Sequence, residues 1–239
     1  MELFVLAIVF FVAGIIPELT GFGVATVSMA LLPFALPFEI VLPLVTIMSV
    51  ITTGIVTVQS KTDGTLKRIF PLVLGSAMGV YLGMYFLSNL DVNKLMKAFG
   101  LFLILYSIYG LTMKKEIIHF EKKIAVIVGF AAGFFSAAFN IHGPLVGMYE
   151  SSDYHLTKRQ VLNTISSYIF FTGIFTFIGH LYANRVTPVV VQYSLFSLPF
   201  LIIGLYVGTK LFGRLKVKII KHLVYILALI IGVILLTRG

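Results

Sequence analysis

Cysteine is absent from all 239 residues. Disulfides, thiolate metal sites and cysteine nucleophiles are therefore excluded. Charge is nearly as scarce: Asp, Glu, Lys and Arg together make up 11% of the chain, whereas a soluble domain clothes its surface with roughly a quarter. A polar stretch long enough to form a second, soluble domain is also lacking. Most of the surface must face something other than water. With 59% hydrophobic residues and a mean hydropathy of +1.05, that solvent is lipid. The net charge of +9 is carried by short basic clusters between long apolar runs. That is the pattern of loops that set membrane topology, not of a face that binds nucleic acid. The start, Met1-Glu2-Leu3-Phe4-Val5, lacks the basic region of a cleavable signal, so the first apolar run is expected to stay.

The apolar runs are Leu3–Pro17, Phe22–Phe38, Ile40–Val58, Ile69–Ser88, Leu95–Met113, Ile124–Phe139, Ile141–Tyr149, Val161–Tyr182, Val186–Leu211 and Ile219–Thr237. A helix needs about 20 residues to cross the hydrocarbon core, and most of these runs can cross. The early pair in each half is shorter and broken by glycine, at Gly21/Gly23 and at Gly143-Pro144.

The halves resemble each other. Thr53-Gly54-Ile55-Val56-Thr57 returns 119 positions later as Thr172-Gly173-Ile174-Phe175-Thr176, and Ala13-Gly14 falls at the same offset on Ala132-Gly133. Gly79-Val80-Tyr81-Leu82-Gly83 returns as Gly204-Leu205-Tyr206-Val207-Gly208, and Lys94 and Lys97 answer to Lys218 and Lys221. Gly-xxx-Gly spacing lets transmembrane backbones approach and is common, but the ordered series implies a duplication. The expected division is residues 1–115 and 120–239, two repeats within a single membrane domain.

Basic residues decide the relative orientation of the repeats. If each early pair is one continuous crossing, nine Lys and Arg fall on each side and no bias results. If each pair enters and leaves on one face and three full crossings follow, the split is fourteen to four, with Lys94, Lys97, Arg185 and Arg238 in the minority. The biased arrangement is the expected one. It makes the chain an all-α integral membrane protein of two inverted-topology repeats, each a broken, re-entrant helix pair plus three transmembrane helices.

Polar groups within the apolar runs gather at the breaks: Pro17-Glu18-Leu19-Thr20-Gly21-Phe22-Gly23 and Ser136-Ala137-Ala138-Phe139-Asn140-Ile141-His142-Gly143-Pro144. Non-helical backbone at membrane depth persists only where it lines a cavity or is buried in protein. Half-helices starting after Gly23 and at Pro144 aim positive dipole ends inward, a ready site for an anion. Glu18 and His142 are the titratable candidates for proton coupling. Thr53, Thr57, Thr172 and Thr176, at helical spacing on repeat-related segments, are candidates to line the pathway, although threonine also bonds its own helix. Glu150, Asp153 and His155 with His142 raise the alternative of a membrane-embedded enzyme. A solvated loop beside Lys158 and Arg159 accounts better for that cluster, and no metal or cofactor is expected. His180 and Lys210 read as snorkelling groups near helix ends.

The segment Gly21-Phe22-Gly23 followed by Leu31-Leu32-Pro33, with Gly143-Pro144-Leu145-Val146-Gly147-Met148-Tyr149 in the second half, resembles the paired signatures of the sulfite exporter TauE/SafE family. Val24 stands where that family often has another glycine, and Leu145 where a second proline is usual. The resemblance spans essentially the whole chain. It implies a secondary transporter, commonly an exporter, of a small anion such as sulfite, sulfoacetate or another organosulfonate, in the cytoplasmic (inner) membrane of a prokaryote. Carried onto this chain it implies a site of Thr20, Gly21, Phe22 and Gly23 with Asn140, His142, Gly143 and Pro144. A passive anion channel is the other alternative. The partners expected are the anion and the bilayer, not nucleic acid, in a monomer or homodimer.

Overall fold

A computed structural model describes residues 2–15, 23–59, 65–89, 91–112, 124–141, 143–151, 157–211 and 217–238. Among them there is no strand. Ten α-helices follow one another: α1 (Glu2–Ile15), α2 (Gly23–Leu31), α3 (Phe38–Gln59), α4 (Thr65–Asn89), α5 (Val92–Thr112), α6 (Ala125–Phe139), α7 (Gly143–Ser151), α8 (Lys158–Tyr182), α9 (Pro188–Leu211) and α10 (Val217–Arg238). Each lies on one of the apolar runs, displaced by a few residues at its ends. α2 is nine residues long because Pro33 takes the chain into a short 3-10 turn, Leu32–Phe34. α7 is equally short.

Among the described residues, four helices carry segments long and apolar enough to cross a bilayer: Phe38–Val58, Leu66–Asn89, Asn163–Tyr182 and Pro188–Gly208. Their outward faces present Val58, Phe70, Met78, Tyr81, Leu195 and Tyr206, all more than half exposed. The inward faces carry hydroxyls, with Thr46, Ser49, Thr52, Thr53, Ser166, Ser167, Thr172 and Thr176 buried on α3 and α8. Apolar outside and hydroxyl-lined inside is the distribution of a protein solvated by lipid. The chain is an all-α membrane protein.

Glycine brings the helices together. Gly75, Gly79 and Gly83 of α4 lie against the backbone of Val126, Phe130 and Phe134 of α6, so closely that a Cβ has no room. Gly204 and Gly208 of α9 meet Phe11 and Ile15 of α1 in the same way. In both pairs the contact positions rise together along the two chains, so α4 runs parallel to α6 and α9 parallel to α1. The other two close pairs run oppositely. On α3 and α8, Gly54 meets Phe170 while Gly173 meets Val50. On α5 and α10, Gly100 meets Gly232 while Gly110 meets Tyr225. Exchanging each of the first five helices for the one five places later maps these packed pairs onto themselves.

Two side-chain contacts align the ends of the bundle. Arg185, in the turn between α8 and α9, donates from Nη2 to Ser88 Oγ at 3.2 Å, joining that turn to the end of α4. Burial pulls the Arg185 guanidinium below its ordinary pKa and the Glu39 carboxylate opposes the shift, so the start of α3 belongs to the same end. At the opposite end, Arg68 in the first turns of α4 bonds Glu150 near the end of α7 at 2.7 Å. Because α6 runs parallel to α4 and α7 finishes beside the start of α4, the α6–α7 pair goes in and comes back at one end.

Candidate functional site

The turn at the tip of that pair is made by Asn140. It follows the last residue of α6 in the left-handed conformation, φ 55°, and its N–H donates to the carbonyls of Phe135 and Ser136. Ile141 N–H reaches back to Phe135 O at 3.4 Å, closing the helix end. Asparagine tolerates positive φ better than most side-chain-bearing residues, which is why the helix stops here rather than at the alanines before it. α7 restarts at Gly143 with Pro144 in its first turn, where the missing N–H costs nothing. α6 has 15 residues, so the tip lies about 22 Å from its base, deep within the bundle. Asn140 is 1% exposed.

A chain of hydroxyls surrounds the tip. Asn140 Nδ2 donates to Thr46 Oγ1 at 3.1 Å, and Thr46 donates to Leu42 O at 2.9 Å. Ser136 and Thr176 share a hydrogen bond of 3.0 Å, Thr176 is also bonded to Thr172 O, and Thr172 donates to Ser76 Oγ at 2.9 Å. Tyr168 OH donates to Gly129 O at 3.3 Å. Helices α3, α4, α6 and α8 are thereby tied by polar bonds in a region shielded from water, where each bond is stronger than at a surface.

In the first half, α1 ends at Ile15 and α2 begins at Gly23. Residues Val24 to Ala30 are all buried, Thr26 and Ser28 among them. The second break thus appears where Asn140 and Gly143-Pro144 indicated, and the first, residues 16–22, lies outside the described residues; α2 and α7 are each nine residues long.

The remaining candidates divide plainly. Glu18, Thr20, Gly21, Phe22, His142, Asp153 and His155 lie outside the described residues. Gly23 and Gly143 head α2 and α7, with Pro144 next to Gly143. Thr53, Thr172 and Thr176 are fully buried, and Thr57 is half-buried. Thr53 bonds Ser49 O of its own helix at 2.7 Å, whereas its repeat mate Thr172 reaches across to Ser76. The difference has a cause. Ser76 is matched in the other half by Leu201, which offers Thr53 no partner.

Two expectations are corrected. Glu150 is no solvated loop residue: it lies in α7, its side chain is wholly buried, and Arg68 Nε donates to Oε2. The signal that could have found it is the apolar run ending in a carboxylate, with a basic pair, Lys67-Arg68, opening another run. His180 does not snorkel: it is 0% exposed, beneath the turn that Arg185 closes by bonding its carbonyl at 3.0 Å. Lys210 does sit at a helix end, exposed, with Nζ 4.4 Å from the centre of the Tyr206 ring. Among the described residues no three His, Asp or Glu side chains gather as a metal would need.

The family model described as Sulfite exporter TauE/SafE matches residues 6–235, nearly the whole chain. No curated protein and no solved structure matches it.

Proposed function

This chain belongs to the sulfite exporter TauE/SafE family, and from that premise we propose that it exports sulfite or a small organosulfonate through a site formed at its two broken helices. Membership implies a membrane transporter of sulfite or related anions rather than an enzyme. The finer reading is carried by one observation: α2 and α7 each restart at a glycine in the interior of the bundle, at Gly23 and Gly143. The first N–H groups of a helix have no partner within it, and the macrodipole places partial positive charge on them. A sulfite or sulfonate group offers the acceptor oxygens such ends require. Thr20, Gly21, Phe22, His142 and Pro144 complete the site, and Asn140 borders it.

The helix directions support inverted repeats. α3 and α8 are repeat mates and run oppositely, as do α5 and α10. The α6–α7 pair returns to the end where it began, and three long helices follow it. Alternating access then follows from rocking one repeat against the other around a fixed central site. Moving an anion against its gradient requires a coupling ion, and Glu18 and His142, at the two breaks, are the groups able to carry a proton. The basic majority at the Lys67 end favours that end as the cytoplasmic one, and the family supports a place in the cytoplasmic membrane of a prokaryote.

Efflux of labelled sulfite and sulfoacetate from proteoliposomes tests the site. Gly23→Leu and Gly143→Leu each place a side chain over a helix start and should cut the flux by roughly a hundredfold, the scale of a loss near 3 kcal/mol in binding. Unchanged flux in both variants, for every sulfonate tried, removes the site from consideration.

A further inference from the structure

The tip of α6 holds one buried polar atom that the anion site does not use. Asn140 Nδ2 is engaged with Thr46, but Asn140 Oδ1 has no hydrogen-bond partner among the described residues. Exchanging the amide oxygen and nitrogen does not help. The Thr46 proton is already given to Leu42 O, so an oxygen turned toward that hydroxyl would gain nothing. A buried carbonyl oxygen is therefore left over at the end of a helix.

The surroundings set the sign of what it binds. The Asn140 and Ile141 N–H groups cap the carbonyls of Phe135 and Ser136, and the macrodipole makes the helix end beyond them negative. An amide oxygen placed there adds to the negative potential and disfavours an anion. A cation suits that potential. Divalent ions are held by carboxylates, and softer metals by histidine or cysteine. Among the described residues no cluster of such groups exists. A proton has nowhere to reside on an amide and hydroxyls. What remains is a hard monovalent ion held by neutral oxygens.

We infer that Asn140 Oδ1, Thr46 Oγ1 and the carbonyls of the last turn of α6 form a Na+ site beside the anion. Thr46 accepts one hydrogen bond and donates one, which leaves a lone pair for the ion. The Ser136–Thr176–Thr172–Ser76 hydroxyl chain braces the same helix end from behind. The first half has no equivalent, since position 140 corresponds to Gly21, so each molecule carries one such site. The negative end of α6 and the positive end of α7 are separated in the chain only by residues 140–142. Na+ on one and an anion on the other attract across that gap, and each raises the affinity for the other by the same factor. The coupling, though not the Na+ site itself, rests on the anion reading of the α7 start, and it adds to proton exchange at Glu18 or His142 rather than requiring it.

Thermal unfolding of the purified full-length protein, in NaCl, KCl and choline chloride at one ionic strength, is the test. NaCl alone should raise Tm, saturably, because an ion that binds only the folded form stabilises it. Asn140→Ala and Thr46→Val should each raise the half-saturating Na+ concentration by at least roughly tenfold, the loss of one good ligand. Equal Tm for the unaltered protein in all three salts overturns the site without recourse to any variant. So does a wild-type Na+ response retained in both variants. The anion reading is separated by adding sulfite. A Na+ response without a sulfite response leaves the cation site standing and sinks the anion site. A sulfite response in choline, with Na+ inert, does the reverse.

Discussion

Removing one member of the Arg68–Glu150 pair takes an opposite charge away from the other at the edge of the bundle. Glu150 is wholly buried while Arg68 is 25% exposed, so the two truncations are unequal. Arg68→Ala leaves a buried carboxylate without its 2.7 Å partner and should cost about 3 kcal/mol. Glu150→Gln leaves a guanidinium that water can reach and should cost less. Replacing both by methionine should recover much of the loss, since a well-packed apolar pair of similar size is often no worse than a buried ion pair. Denaturant unfolding of the unaltered protein, the two single variants and the double-methionine variant measures these differences. The threonines give a second contrast. Thr53→Val removes a bond within one helix and should change stability by about 0.5 kcal/mol or less, whereas Thr172→Val breaks a bond between helices and should cost about 1 kcal/mol or more. Both residues were legible as a matched pair in the sequence, but their roles were not. The distinction depends on Ser76 against Leu201, and a partner 96 positions away leaves no local trace. Glu150 was missed for the same reason: its partner stands 82 positions earlier, and the Ser151-Ser152-Asp153 that follows reads as loop.

At the scale of the element, helix positions were readable almost throughout, because a helix in lipid must be apolar over nearly its whole length. The second break was readable too, from Gly143-Pro144. The ends were less so. α6 stops because Asn140 adopts φ 55°, and sequence offers an asparagine without its backbone angle. The Gly-xxx-Gly pairs were recognised as repeats, but their partner helices were not. The structure gives those partners as α6 for Gly79 and α1 for Gly204. Gly79→Val and Gly204→Val should therefore act alike. Each drives a side chain into the backbone of a neighbouring helix and should destabilise by about 3 kcal/mol, at the upper end of overpacking costs. Matched losses in thermal unfolding would show the two seams to be equivalent. A large loss at one and none at the other would contradict the packing.

The molecule as a whole makes a prediction about sidedness. With no cysteine in the chain, a single introduced thiol is the sole target for a maleimide. Asp91 and Ala183 are exposed at the Arg185 end, and Lys67 is exposed at the other. In intact cells a membrane-impermeant maleimide should label Asp91→Cys and Ala183→Cys, and should reach Lys67→Cys only after permeabilisation. Labelling of Lys67→Cys in sealed cells would reverse the orientation. Labelling of all three would deny that these positions lie on opposite faces. The charge count predicts this sidedness from the second repeat alone, because the first early pair has no lysine or arginine on either flank.

The parallel seams carry a further consequence. α1 packs most closely on α9 and α6 on α4, so the opening arm of each half has its tightest seam with the opposite half. Neither half is self-sufficient, since alone it would leave a glycine-lined groove uncovered and an arm unmoored. Fragments 1–115 and 120–239 made as separate chains should accordingly be degraded when expressed singly and accumulate when expressed together.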